Sequence, residues 1–366
     1  MKVSTIYSSI AMGAWASMGT AYLVLLVLPY LSGELDWYVY LGDNFTYRNI
    51  AASGGFGDLI KELLIMKNLV GLALFVKLAE FISVEYFDYI ILFLNLLILA
   101  VSIWNYRRVF ELLHAPAYVK FLLLMLVNPY IIWSLCGASK EIWGLMLLSF
   151  FLRYMLEGKM FKYLMVVAFS FLIRDAFAVG GLIFFMVHRV LNNKFYYLIG
   201  FSLLFPFIYS AGQELILLEG QDENSIGISM LLSTIQSYPF GYVLTFVPKL
   251  LLSAFGPLSP LRFEMPIENI IGNFTIASAV LTLLLSARLI YKLYVLRERC
   301  NPVLLNLFFA YALVAATTLF IHHRYLFPLY PVLIMLVLTT RRDRVRTEQS
   351  VQPAAVLRRY IGGTIK

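Results

Sequence analysis

The sequence predicts an all-α polytopic membrane protein, with about ten transmembrane helices and two long external loops carrying interfacial helices. Three observations carry this. The chain of 366 residues is 61% hydrophobic and only 14% charged, where a soluble domain holds roughly 25% charged residues. Its mean hydropathy is +0.81. Apolar runs of about 20 residues recur along it, long enough to cross a hydrocarbon core of roughly 30 Å.

Taken in order, residues 6–31 form the first span. Lys2 precedes it, but the apolar run continues to Leu31, too long for a cleaved signal peptide. The basic loops then set the orientation. They are Tyr106-Arg107-Arg108, Lys159 to Lys162, His188-Arg189 to Lys194, Arg288 to Arg299, and the tail from Arg341. Placing them all on the cytoplasmic side follows the positive-inside bias, and both termini then lie in the cytoplasm. The net charge of +8 sits in short loops between spans, which excludes a nucleic-acid-binding stripe.

With residues 88–105 returning to the cytoplasm, residues 32–87 form one external loop. Its apolar part, Leu59–Ser83, contains Lys61, Glu62, Lys67, Lys77 and Glu80, as an interfacial amphipathic helix would. Further spans follow at 117–135, 141–157, 162–174, 176–190, 195–213, 270–290, 302–321 and 325–340. Residues 214–268 form the second external loop. Its apolar part 226–257 is expected to lie in the interface or re-enter, because Pro239, Pro248 and Pro257 oppose a continuous spanning helix. Residues 1–340 thus make one helical domain, and 341–366 a basic cytoplasmic tail. Cys136 and Cys300 fall at opposite ends of their spans, which opposes a disulfide, and no Cys/His spacing suggests zinc.

This topology brings Asp43, Lys140, Glu141, Arg174, Asp175, His322, His323 and Arg324 to the external ends of spans. Charges near a bilayer are costly and mark functional sites when they face the bundle interior. Asp43, beside Gly42 in a loop, is placed to take a proton from an attacking hydroxyl or to orient it; the alternative is an ordinary turn residue. Lys140, Arg174 and Arg324 have the chemistry to hold a phosphate or pyrophosphate, and would stabilise charge on a departing lipid phosphate. Their plain alternative is snorkelling to headgroups. Glu141 opens a span, where the helix dipole already accounts for it, so it ranks below Asp43 as a catalytic acid. His322 and His323 could shuttle protons, bind phosphate, or serve structurally.

On these residues the chain resembles the GT-C superfamily of integral membrane glycosyltransferases. The similarity lies in a first span followed by a long loop bearing Gly42-Asp43, Tyr47, Ala51-Ala52 and Gly54-Gly55. It continues in Asn128-Pro129-Tyr130 through Ser139-Lys140-Glu141, and in Arg324-Tyr325 ahead of the spaced Pro328 and Pro331. The resemblance implies that Asp43 is the catalytic or metal-associated carboxylate; Lys140, Arg174, His322, His323, Arg324 and Tyr325 are then the residues expected to bind the lipid-phosphate donor. The usual pair of loop acids is reduced to one, since residue 44 is Asn. No cofactor is therefore required, and the lost acid weighs against a divalent cation. With no large soluble domain, the chain is also similar to O-antigen and capsular polysaccharide repeat-unit polymerases.

Under that resemblance the expected activity is transfer from a polyprenyl-phosphate or polyprenyl-pyrophosphate sugar at the periplasmic face of a bacterial inner membrane. The implied partners are a polyprenyl-linked saccharide donor and acceptor, membrane lipids and a chain-length regulator protein. Two alternatives stay open: an enzyme adding a single sugar, and a flippase for a lipid-linked oligosaccharide.

Overall fold

The computed structural model describes residues 42–64, 70–190, 241–255, 270–317 and 323–340, with 234–235 and 238. The expected spans at 6–31 and 195–213, His322 and the basic tail lie outside the described residues.

Every regular element among the described residues is helical. In chain order they are α1 (Gly42–Ser53), α2 (Phe56–Leu64), α3 (Val70–Ile82), α4 (Phe87–Leu112), α5 (Tyr118–Leu126), α6 (Pro129–Leu135) and α7 (Lys140–Glu157). There follow α8 (Met160–Ile173), α9 (Asp175–Phe185), α10 (Gly241–Phe255), α11 (Ile270–Tyr294), α12 (Pro302–Thr317) and α13 (Tyr330–Thr339). Two 3-10 turns, His323–Tyr325 and Phe327–Leu329, lead into α13. Among the described residues two helices are long and apolar enough to cross a membrane, Phe87–Leu112 and the Thr275–Tyr294 part of α11; α5 and α6, taken as one bent span, make a third. The protein is thus an α-helical, membrane-embedded chain.

The core forms where α4 packs on α7, and α9 on α12, around Tyr106, Phe110, Phe121, Phe151 and Phe184. Large apolar side chains also cover the outside, among them Phe93 (60% exposed), Trp104 (53%) and Leu284 (59%). Water would penalise that surface heavily, whereas lipid does not, so the pattern fits a bundle embedded in hydrocarbon.

Small residues let the helices meet. A Cβ built on Gly71 in α3 would stand 1.8 Å from the Leu172 carbonyl oxygen, so α3 and α8 touch backbone to backbone there. At Gly144 a Cβ would stand 2.4 Å from the Phe177 ring and 2.9 Å from Pro328. That contact seats α7 against α9 and the second 3-10 turn.

Two expectations are corrected. Asp43 does not sit in a loop but in the first turn of α1. Tyr47 and Ala51, one turn apart, bury one face of that helix against Leu72 and Val76 of α3. The single interfacial helix expected over 59–83 is divided between α2 and α3, and α3 is partly a bundle helix, with Leu72, Ala73, Val76 and Ala79 buried. The proline expectation is not overturned: Pro248 stands inside α10, but that helix has 15 residues, short of the roughly 20 a span needs. The proline ring faces outward while Thr245, Lys249 and Ser253 turn to the interior, so packing of that face on α11 and α12 offsets the lost backbone hydrogen bond.

The expected span 117–135 is bent by 67° between α5 and α6. Pro129 has no N–H to give and fixes the start of α6, and the Asn128 side chain accepts from the Tyr130 amide at 3.0 Å. Such a break is tolerated at membrane depth only where protein surrounds it. All seven residues of α6 are buried.

Candidate functional site at one end of the bundle

The alternation of helices brings the start of α7, the α8–α9 junction and the His323 turn to one end, here called the site end. Lys140 and Glu141 open α7 behind Ser139, whose hydroxyl accepts from the Glu141 amide at 3.3 Å. The same hydroxyl donates to Glu141 Oε2 at 2.8 Å. Glu141 is only 7% exposed.

Lys140 reaches across to α1, its Nζ lying 5.5 Å from the centre of the Tyr47 ring. This contact places α1, and with it the backbone of Asp43, beside the start of α7. The side chains of Asp43 and Arg324 lie outside the described residues.

Arg174 is the single extended residue between two helices, at φ −168° and ψ 127°. It closes α8 through its amide to the Ser170 carbonyl at 2.8 Å, and Asp175 opens α9 by accepting from the Ala176 amide at 2.7 Å. Helix on both sides fixes where that break can aim its side chain. The guanidinium lies 4.3 Å from the centre of the Tyr325 ring. Cation–π contact of this kind leaves the guanidinium edge able to donate to a phosphate.

Tyr311 of α12, fully inside the bundle, lies beneath this group. Arg174, Glu141, Asp175 and Tyr325 are all within electrostatic reach of its hydroxyl. Its ring stacks on Phe177 at 5.4 Å and meets α9 at Gly180, where a Cβ would approach within 3.2 Å. The structure therefore gathers Lys140, Glu141, Arg174, Asp175 and Tyr325 at one end.

His323 takes another direction. It is 3% exposed and points into the bundle, with Nε2 2.9 Å from Ser278 Oγ and Nδ1 3.2 Å from the Ala254 carbonyl. Both ring nitrogens are thus engaged with protein groups, which fits the structural alternative for this residue. Beside it a cavity of about 340 Å³ opens between α10, α11, α12 and α13. Leu250, Leu283, Phe308 and Leu333 line it, beside the His323 imidazole and the Tyr330 ring. Leu251 and Ile290, which also line it, are half exposed, so the cavity opens onto the apolar flank.

Sequence reasoning passed over three residues: Tyr311, Ser278 and Lys249. Lys249 is 1% exposed in α10, a buried cation in an apolar helix. Its signal was present, since Thr245, Lys249 and Ser253 recur every fourth residue and share one face. Nothing comparable marks Tyr311 among 24 tyrosines.

Among the described residues no three His, Cys, Asp or Glu side chains converge as a metal ligand set. Cys136 and Cys300 are both free. No protein-family model, no curated protein and no solved structure matches the chain.

Proposed function

We propose that the chain is a membrane glycosyltransferase using a polyprenyl-phosphate or polyprenyl-pyrophosphate sugar at the periplasmic face, and that it joins repeat units of an O-antigen or capsular polysaccharide. The observation that carries this reading is the gathering of Arg174, Lys140, Glu141, Asp175 and Tyr325 at one end of a lipid-embedded bundle. In this reading Arg174 and Lys140 hold the donor phosphate and stabilise the charge that grows on it as the glycosidic bond breaks. Asp43, carried by α1 to the start of α7, takes the proton of the acceptor hydroxyl. Glu141 keeps the Lys140 turn in place. The apolar cavity beside α13 receives the hydrocarbon of the lipid carrier, entering from the flank. A ten-span topology with both ends cytoplasmic belongs to the same proposal.

The test uses purified protein in lipid nanodiscs with a lipid-linked repeat unit, and products resolved by size. A ladder of lengthened glycans, abolished by Asp43→Asn, is the expected result. One added sugar from a lipid-phosphate donor would reduce the enzyme to a single-sugar transferase. Wild-type ladders from Asp43→Asn would remove that residue from the mechanism.

A second reading, a flippase for lipid-linked oligosaccharide, draws on a different observation. The 67° break at Asn128 puts buried polar groups inside the bundle, as broken helices do in transporters. Movement of the lipid across the bilayer with no new glycosidic bond would favour it over the transferase.

A further inference from the structure

The break between α5 and α6 starts a chain of buried hydrogen bonds whose direction can be read atom by atom. Asn128 accepts from the Tyr130 amide with its carbonyl oxygen, so its Nδ2 is the donor to Ser278 Oγ, at 3.0 Å. Ser278 Oγ lies 2.9 Å from His323 Nε2, and His323 Nδ1 lies 3.2 Å from the Ala254 carbonyl. A carbonyl oxygen can only accept, so Nδ1 carries a proton, and in the neutral imidazole Nε2 then presents its lone pair. With the ring neutral, Ser278 donates to Nε2 while accepting from Asn128, and all three contacts are satisfied. Asn128 and Ser278 are both fully buried, so no bulk water competes for these bonds.

The far end of this chain is the turn His323–Tyr325. His323 is pinned from two sides, by α11 through Ser278 and by α10 through Ala254. Two residues on, in the same single turn, Tyr325 lies under the Arg174 guanidinium at 4.3 Å. A 3-10 turn of three residues has little internal hydrogen bonding to hold its orientation, so its anchors decide where Tyr325 stands.

We infer that Ser278 is a positioning residue: by donating to His323 Nε2 it fixes the imidazole tautomer and the His323–Tyr325 turn, and thereby the Arg174–Tyr325 stack. This rests on the reading of Arg174 as the ligand of the donor phosphate, but the stack can be measured without any substrate. Removing the hydroxyl in Ser278→Ala leaves Nε2 without its donor and frees the ring to rotate or change tautomer. Ser278→Thr keeps a hydroxyl on the same carbon and restores the bond.

The experiment is 15N and 1H NMR of the full chain in nanodiscs, with His323 assigned by His323→Gln and Arg174 by Arg174→Lys. In wild-type protein the His323 ring should give the neutral Nδ1–H tautomer, and the Arg174 guanidinium protons an upfield ring-current shift. Ser278→Ala should lose the single-tautomer signature and the upfield shift together, and Ser278→Thr should recover both. His323→Gln, which keeps one amide in place of two ring contacts, should also lose the Arg174 shift; this holds even if Ser278→Ala fails to fold. An unchanged Arg174 shift in either loss variant overturns the inference. In the glycan assay, Ser278→Ala should lower kcat and raise the donor KM, in the same direction as loss of Arg174 and by less, and Ser278→Thr should restore both. Coupled NMR changes in a protein that makes no glycosidic bond would leave the positioning intact and sink the transferase reading instead.

Discussion

Arg174, at the site end, is held differently from the cations at the opposite end. At the end opposite the site, cations meet carboxylates. Arg153 Nε lies 2.9 Å from Glu157 Oε1, and Lys159 Nζ 2.6 Å from Glu157 Oε2. Lys292 Nζ lies 3.2 Å from Glu298 and also donates to the Val337 carbonyl and the Thr340 hydroxyl, each at 2.8 Å. Arg107 and Arg108 share Glu111. At the site end Arg48 also meets a carboxylate, its Nη2 2.8 Å from Asp88 Oδ1, but Arg174 lies over the ring of Tyr325, and Glu141 is held by a neighbouring hydroxyl. Pairing with a carboxylate neutralises a cation; a ring holds it while leaving the charge to act on an anion. The first arrangement ties helices together, and the second suits a binding site.

This contrast is broken most directly at Arg174. Removing a cation that stabilises developing charge costs on the order of 10²–10³ in turnover. Arg174→Ala is therefore expected to lower glycan transfer by about that factor while its thermal unfolding in detergent stays near wild type. A large fall in unfolding temperature with proportionate loss of activity would make Arg174 a structural residue like those at the other end. Arg174→Lys should recover little, because a point charge does not replace a planar fork stacked on a ring.

Next in size is the closed network at the opposite end. Arg153 and Glu157 are 13% and 10% exposed, and Arg153 also donates to Asn105 at 2.8 Å and lies 4.5 Å from the Trp104 ring. Leaving such a cation without its carboxylate costs about 3–5 kcal/mol when fully buried, and less at this partial exposure. Glu157→Ala should lower the unfolding temperature clearly and leave the donor KM unchanged. A changed KM with normal stability would mean that the two ends do not divide the work as described. Gly71→Ala should fall in the same range, about 1–3 kcal/mol from overpacking, because α3 must move off the Leu172 carbonyl.

The same contrast explains what could be read from the sequence. Lys140-Glu141 and Arg174-Asp175 stood out because helices begin and end at them, and their polar side chains interrupt long apolar runs. The antiparallel alternation of short helices then leaves them at one end. Asp43 was visible as a residue but not as part of a helix, since only Tyr47 and Ala51 mark the buried face of α1 and glycines follow it directly. Buried polar groups were the hardest to find. Asn128 and Ser278 are small residues inside apolar spans, 150 positions apart, and no local pattern links them. Their partnership exists only once the break at Pro129 is folded against α11.

The smallest expected effect is also the sharpest control. Arg107, Arg108 and Glu111 are 64%, 51% and 44% exposed, and lie three or four residues apart on one helix. Exposed pairs of this kind contribute about 0–1 kcal/mol, because water or headgroups replace the lost partner. Glu111→Gln should shift the unfolding temperature by no more than about a degree or two and leave transfer and donor KM at wild type. It removes a full carboxylate charge from the bundle, as Glu141→Gln does at the site end. If charge as such governed activity, the two variants would behave alike. If placement governs it, Glu141→Gln alone should impair transfer, because it loosens the Ser139–Glu141 turn from which Lys140 reaches the Tyr47 ring.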